Sequence, residues 1–521
     1  MLVSDIVRKN AQTFPSADAL VVPGGPTRTW ADLDRRTNQI ANAFAALGLS
    51  KGDRVAMFAP NCPEYLEFFF GCAKSGVIGA ALNIRLAASE LAAYLGYVEP
   101  KAVLVHAALA EEAAAWLAEG VPVLTIGFGG DHAFDFDFET IIGAAASTDP
   151  QVEVLDSDIY QLAASSGTTG MPKGSAMTHR NAISAMLNWA SEVPIPERST
   201  GLQCIPYFFN PGGPASLHPV LLKGGRMVIP EAFTPLGFID LVETYRVTHT
   251  IVVPTMLQMI LMAQATENRD LSSLTGIITG GSPLSAALLA KGREVIGDVF
   301  YPIYGMAEMY ACAMILRPEN QFTEGTEQQR RQLGSLGRPM VLTQVRVVGN
   351  DGQDVPRDGT TPGEIWLSGD AVSPGYFNMP EATEDSRQDG WFKSGDVGVI
   401  DAEGFVTIVD RLKDIIITGG INVSSVEVEN AITRHPSVMQ AAVIGVPHET
   451  WGEAIHAVVV RKPDGPPVVA EDLIEFVGDQ VASYKKPRTI EFVDELPLSG
   501  TGKVLKRVLR ETRTKSAKPS A

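Results

Sequence analysis

The chain has 521 residues, of which 45% are hydrophobic and 20% charged, with a formal net charge of −18 and four cysteines. That length is too great for one compact core and predicts several modules of roughly 150 residues each. The acidity excludes general nucleic-acid binding, because a phosphate backbone would be repelled. The scattered cysteines, Cys62, Cys72, Cys204 and Cys312, form no Cys-x-x-Cys pair. A zinc site and a disulfide framework are therefore not expected, and a reducing, cytoplasmic setting is. The opening MLVSDIVRKNAQTF lacks the apolar core of a signal peptide, and the eight histidines show no HExxH spacing.

In chain order, LDRRTNQIANAFAAL (33–47) sets Ile40, Ala43, Phe44 and Leu47 on one helical face. DRVAMFAP (53–60), KAVLVHA (101–107) and RVTHTIVVP (246–254) predict strands. YLEFFFGCAKSGVIGAAL (65–82) is the most apolar stretch, but Glu67 and Lys74 interrupt it. It predicts a buried helix and not a membrane span. This alternation, from about residue 30 to 410, predicts layered α/β structure. LTQVRVVG (342–349), GEIWLSG (363–369) and FVTIVDR (405–411) then predict a small all-β unit. A compact α+β pattern follows. SSVEVENAI (424–432) opens with a capping-box pattern, Ser424 and Glu427. AAVIGV and AIHAVVV predict strands, and EDLIEFVGDQVASY (471–484) predicts a helix with Leu473, Ile474, Val477 and Val481 inward. The last ten residues, TRTKSAKPSA, are expected to fray.

One stretch carries chemistry. SSGTTGMPKG, Ser165–Gly174, follows the strand-like DIYQLAA. Backbone N–H groups of a glycine-rich turn make an anion-binding concavity. Hydroxyls from Ser165, Ser166, Thr168 and Thr169 and the charge of Lys173 suit phosphate. It is not a P-loop, since Gly174 stands where Ser or Thr would follow the lysine. Taken alone, the stretch reads equally as a phosphate loop or as a flexible surface loop.

Taken with its companions, it resembles the signature loop of the adenylate-forming superfamily, which includes acyl- and aryl-CoA synthetases. ITGGSPL (278–284), YGMAE (304–308), GEIWLSG (363–369), WFKSGD (391–396), DRLKDIIITGGINVSSVEVE (410–429) and LPLSGTGKVLKR (496–507) follow in that family's order and spacing. The resemblance runs from TWADLDRR (29–36) nearly to the end of the chain. It implies an α/β fold: a large N-terminal AMP-binding domain, 1–410, of layered α/β subdomains plus the small β unit. A hinge at 411–414, a small mobile α+β domain at 415–515 and a flexible tail at 516–521 would follow.

The resemblance also implies a two-step reaction: a carboxylate attacks the α-phosphorus of ATP and releases pyrophosphate, then a thiol displaces AMP. The first step joins two anions, so it calls for charge neutralisation and in-line positioning. By the resemblance, Ser165, Ser166, Gly167, Thr168, Thr169, Gly170 and Lys173 hold the terminal phosphates. Ser165 and Glu308 face a Mg²⁺ ion, a hard cation suited to oxygen ligands. Gly280, Gly281 and Ser282 line the adenine, Tyr304 stacks on its face, and Gly305, Met306 and Ala307 also belong to the ATP/AMP site, Ala307 lacking the hydroxyl that would meet the α-phosphate. Asp396 takes the ribose hydroxyls and Arg411 contacts the nucleotide. Lys503 bridges carboxylate and α-phosphate, Lys413 is the hinge residue, and Thr418, Gly419 and Gly420 line the pantetheine arm of coenzyme A.

The acid pocket is expected from Tyr207, Phe208, Phe209, Asn210, Gly212, Val253, Pro254, Met306 and Tyr310, mostly apolar groups. IPYFFNPGG (205–213) carries no Asp or Glu, which disfavours an amino-acid substrate. Two positions depart from the family pattern: Phe209 stands where histidine is usual, and Ala307 where threonine is more frequent. The implied function is an ATP-dependent acyl-CoA synthetase for an apolar acid, fatty or aryl/alicyclic. Its alternative is a stand-alone adenylating enzyme that loads an acyl carrier protein. The implied co-substrates and cofactors are ATP, Mg²⁺ and coenzyme A. A homodimer and a lysine acetyltransferase acting on Lys503 complete the expected partners.

Overall fold

The computed structural model describes residues 1–121, 123–165, 173–209, 218–282, 284–322, 324–418, 421–448, 450–463, 465–498 and 504–516. It divides into two compact units, Met1–Val345 with Leu367–Phe392, and Arg346–Trp366 with Lys393–Ala521.

The first unit is built on two sheets among the described residues. One runs, edge to edge, through Phe136–Asp137, Leu124–Phe128, Ala102–His106, Arg54–Phe58, Ile78–Ala81, Ile159–Ser165 and Lys173–Thr178. Its neighbours are parallel except the last pair, Ile159–Ser165 with Lys173–Thr178, which is antiparallel with Ser165 opposite Lys173. The other runs through Arg338–Pro339, Met314–Ile315, Phe300–Tyr304, Gly276–Thr279, His249–Val252, Thr200–Leu202, Arg226–Val228, Asp18–Val21 and Thr27–Thr29. It is parallel from Phe300–Tyr304 through Asp18–Val21. The central parallel strands, such as Arg54–Phe58 (RVAMF) and Ala102–His106 (AVLVH), are rich in apolar residues, as strands covered on both faces tend to be. One hydrophobic core takes residues from both sheets, among them Met57, Ala163, Ile251 and Ile278.

The expected helix over 33–47 is present and begins earlier, at Trp30, capped by Thr29 in a full capping box with Asp32. The stretch 65–82 corrects the expectation of one helix. A helix spans Glu64–Ser75, Gly76 closes it at φ 72, and Ile78–Ala81 is a parallel strand. An apolar run alone does not distinguish a buried helix from a buried strand; the left-handed glycine cap makes the break. Glu67 and Lys74 are fully buried and both are paired. Arg36 Nη2 lies 2.7 Å from Glu67 Oε2, with Arg28 Nε 3.3 Å from Oε1. Lys74 Nζ meets Asp34 Oδ1 at 2.5 Å and Asn38 Oδ1 at 2.7 Å.

In the second unit, Gln344–Val348, Gly363–Ser368, Trp391–Ile400 and Val406–Arg411 pair as the expected β segment, with the first three strands beginning or ending just outside the unit's bounds. A further sheet orders Ile421–Val423, Ile416–Thr418, Gly452–Arg461 and Val438–His448, with Thr489–Val493 parallel to Gly452–Arg461. Alternation divides its residues between two faces. Val443, Ile455, Ala457 and Val459 pack with Val428, Ile432, Leu473 and Val477 of the helices Ser425–Thr433 and Ala470–Gly478. Ala442, Ile444, Val458 and Val460 pack with Leu509 of the helix Lys506–Ser516.

Three local expectations are corrected here. The helix expected over 471–484 ends at Gly478. The last helix runs to Ser516, five residues into the stretch expected to fray. Ser424 caps its helix by accepting from Glu427 N at 3.2 Å. Glu427 does not return the bond; its carboxylate meets Lys485 Nζ at 2.6 and 2.7 Å instead. A charged partner outcompetes a backbone amide for that side chain.

Candidate active site

In open parallel sheets, ligands bind beyond the carboxyl ends of the strands. Four adjacent parallel strands of the first unit end in the expected segments. Tyr207–Phe209 lie beyond Thr200–Leu202, and Val253 and Pro254 directly follow His249–Val252. Gly280–Ser282 follow Gly276–Thr279, and Gly305–Ala307 follow Phe300–Tyr304. Two glycines are required by geometry. Gly281 has φ +85, and a Cβ at Gly305 would come 2.3 Å from the carbonyl carbon of Ala311. That close approach closes a tight turn, a single 3₁₀ turn Ala307–Met309 followed by Tyr310 and Ala311 at φ 50 and 58. Two consecutive non-glycine residues in the left-handed region are costly, and such strain collects at functional sites.

The turn presents Glu308, which is 7% exposed. Its Oε1 accepts a hydrogen bond from Tyr376 Oη at 2.8 Å, and its carbonyl accepts from Ser373 N at 2.7 Å. Tyr376 also reaches the glycine-rich loop. Lys173 Nζ lies 4.9 Å from the centroid of its ring. The segment 375–377 pairs with the strand Lys173–Thr178: Ala176 N donates to Gly375 O and Phe377 N to Gly174 O, both at 2.9 Å. Tyr97 hydroxyl donates to the Phe377 carbonyl and accepts from Gly174 N. Burial first, then the Glu308 charge, pushes the Tyr376 phenol well above its ordinary pKa, so it remains a donor.

Three of the residues expected to line the acid pocket, Tyr207, Phe208 and Phe209, form an aromatic cluster. Tyr207, Phe208 and Phe209 line, with Ala81, Gln161, Leu162, Ala163 and Ala164, a void of only about 10 Å³, the size of one water. Phe208 and Phe209 meet edge-on with centroids 4.6 Å apart. Arg85 lies over the Phe209 ring at 5.5 Å. Tyr310 is fully buried behind this cluster and donates to Gln161 Oε1 at 3.0 Å.

The second unit holds Asp396, Arg411, Lys413 and Thr418. Asp396 is 3% exposed, and its Oδ1 lies 3.1 Å from Arg411 Nε, on paired antiparallel strands with the two residues directly opposite. Lys413 is exposed on the segment after that strand. Partial desolvation, then Arg411 and Arg510, hold its ammonium below the usual pKa, against Asp414. Thr418 is paired with Ile421 in an antiparallel strand pair. Ser166, Gly167, Thr168, Thr169, Gly170, Asn210, Gly212, Gly419, Gly420 and Lys503 lie outside the described residues, as does the side chain of Ser165.

Known proteins resemble the chain over nearly its whole length. The family pattern of the AMP-binding enzymes matches residues 7–377, and that of the AMP-binding enzyme C-terminal domain matches 427–503. The chain belongs to the AMP-binding enzyme family. It is 37% identical over 502 residues to a feruloyl-CoA synthase of Amycolatopsis sp, covering 96% of this chain and 97% of that one. It is 34% identical over 516 residues to the long-chain-fatty-acid–CoA ligase FadD13 of Mycobacterium tuberculosis, covering 97% of each. Its fold superposes on ATP-bound MatB from Rhodopseudomonas palustris with a TM-score of 0.87 at 29% identity, covering 99% of this chain and 100% of that one. The chain is thus an ATP-dependent, AMP-forming acid–thiol ligase that makes acyl-CoA. No described helix is long and apolar enough to cross a membrane.

Sequence reasoning missed Tyr376, Tyr97 and Gln161. Tyr376 stands between Gly375 and Phe377 in a segment without periodicity. Its one sequence signal is its place a few residues after GEIWLSG.

Proposed function

We propose that this ligase activates an apolar acid bearing an aromatic ring, and that the residues named above divide the work as follows. The loop 165–173 grips the terminal phosphates of ATP. Gly280–Ser282 and Tyr304 receive the adenine, and Asp396 with Arg411 the ribose. Lys503 screens the carboxylate from the α-phosphate while a carboxylate oxygen bonds to phosphorus and pyrophosphate leaves. The segment 411–414 is the hinge about which the C-terminal residues turn, so that the thiol, guided by 418–420, attacks the acyl carbon and AMP departs. The observation that carries this reading is the convergence of Lys173 and Glu308, remote in sequence, on one tyrosine.

A magnesium ion fits the donors present. Among the described residues no cluster of three or more His, Cys, Asp or Glu could cage a metal. A single buried carboxylate, Glu308, is what a Mg²⁺ held mainly by substrate phosphates requires. When bound, the ion neutralises phosphate charge. Glu308 would hold it, with Ser165 as its companion.

The aromatic cluster at Tyr207–Phe209 favours a flat ring, and Gln161 with Tyr310 supplies a polar floor suited to a ring substituent. The likeness to a feruloyl-CoA synthase points the same way. All four cysteines are buried and free, in keeping with the cytoplasm. Acetylation of Lys503 would remove its charge and stop the first half-reaction, and the ligase would work as a homodimer. The test is AMP release across a panel of hydroxycinnamic, benzoic and fatty acids, with and without coenzyme A. We expect aryl acids to lead and the CoA thioester to accumulate. A preference for long-chain acids, or transfer to carrier protein in place of coenzyme A, would overturn this.

A further inference from the structure

We propose that Tyr376 is a positioning residue with two separable functions: its hydroxyl aims the Glu308 carboxylate at the metal, and its ring seats the Lys173 ammonium that meets the phosphates. The inference rests on the reading of Glu308 and Lys173 given above and adds a residue that lies outside the sequence motifs quoted above.

The geometry has three parts. First, the hydroxyl donates to Glu308 Oε1 at 2.8 Å. A donor to one oxygen of a carboxylate fixes its rotation about the last bond, which an otherwise two-fold torsion leaves loose. Second, the ring face lies under Lys173 Nζ at 4.9 Å, within cation–π range. The flexible stem of a lysine is thereby restrained before any phosphate arrives. Third, Tyr376 is itself braced. Its N–H donates to Thr383 Oγ1 at 2.9 Å, and its own residue bridges Ser175 on the loop's return strand. One step earlier, Ser373 N donates to the carbonyl of Glu308, and Arg387 donates to the carbonyl of Ser373. The Glu308 backbone and side chain are thus both held from one short segment, 373–376, which also holds the stem of the loop.

A residue that merely filled space would couple nothing. Tyr376 instead ties a cation and an anion that must keep a set spacing if one is to touch phosphate and the other a phosphate-bound metal. Placing those groups before the substrate arrives removes a reorganisation cost from the reaction. Partners behind a metal-binding carboxylate typically change metal affinity by about 10- to 100-fold when removed.

The two functions separate by mutation. Tyr376→Phe keeps the ring and loses the hydroxyl; Tyr376→Leu loses both. The readouts are binding of Mn²⁺ to the ATP complex, followed by the electron paramagnetic resonance of free Mn²⁺, and binding of ATP in EDTA. We expect Tyr376→Phe to raise the Mn²⁺ half-saturation about 10-fold while ATP affinity in EDTA stays within about two-fold of wild type. Tyr376→Leu should raise the Mn²⁺ value similarly and also weaken metal-free ATP binding roughly three-fold, the size of a partly exposed cation–π contact. Unchanged Mn²⁺ binding in Tyr376→Phe overturns the proposal, and because this variant is isosteric it decides the matter even if Tyr376→Leu fails to fold. Equal loss of both affinities in Tyr376→Phe also overturns it, since a general packing defect would do that. Glu308→Gln is the reference. If it binds Mn²⁺ as wild type does, the metal reading of Glu308 falls and the proposal with it. If it is impaired while Tyr376→Phe is not, the proposal alone falls.

Discussion

The groups around Glu308 and those around Lys413 are built in opposite ways. Glu308 is buried, bonded through side chain and backbone, and presented by a strained turn whose glycine admits no Cβ. Arg411, Leu412 and Lys413 lie on the surface of the second unit, Leu412 with 53% of its area exposed. A carboxylate that meets a metal works best when it has nothing left to reorganise. A segment that must turn needs few contacts to break. On the function proposed above, the contrast would sort the residues of one reaction into those that wait and those that move.

The largest expected effect breaks the contrast open at its moving end. Lys503→Ala should lower acyl-AMP formation by about 10²- to 10³-fold, the usual cost of losing one charge-stabilising donor. Thioester formation from supplied acyl-AMP should survive, because that step does not bring two anions together. Pyrophosphate exchange and single-turnover thioester assays measure the two halves separately. Equal loss in both would show that Lys503 does not belong to one conformation alone.

A smaller effect concerns another buried group of the first unit. His179 sits at the start of the helix His179–Glu192, 1% exposed, and its Nδ1 accepts from Val3 N at 3.2 Å. Burial, against the pull of Asp158 and other carboxylates, lowers its pKa to about 4. The native ring is neutral where an unfolded one, with a pKa of about 6.5, takes a proton. Stability from this group is thus full above about pH 6.5 and lost as pH falls toward 4. Between pH 7.5 and 5.0 the loss is about 2 kcal/mol. Urea melts at the two pH values should show His179→Gln losing about that much less than wild type. Identical losses would mean the ring titrates normally.

Much of this was legible from residues alone, and the exceptions share a cause. The strands at 54–58, 102–106 and 249–252 are short, mostly apolar segments, and they appear within the stretches expected. The run 65–82 was misread because its break depends on the backbone angle of Gly76, which hydropathy does not record. Glu308 and Lys173 were visible through their motifs. Tyr376 was not, because its importance comes from what the chain brings to it across space. The reciprocal bond at Ser424 failed for the same reason: Lys485, distant in sequence, takes Glu427.

That last site provides the smallest effect and the finest test of the contrast. Ser424 does two things. Its Oγ caps the helix Ser425–Thr433 and also donates to Val409 O at 2.6 Å. Its neighbour Ser425 donates, by hydroxyl, to Asp410 Oδ2 at 2.8 Å. Val409 and Asp410 precede the segment 411–414 and the serines follow it, so a turn about that segment must break these bonds. Ser424→Ala removes cap and cross-link together and should cost about 1 kcal/mol. Ser424→Asp keeps a good cap but has no proton to give Val409. If 411–414 is the hinge, the Asp variant should melt close to wild type while its ratio of thioester formation to adenylation changes by a few-fold. A ratio unchanged in both variants would place the turning point elsewhere and leave Ser424 as a helix cap alone.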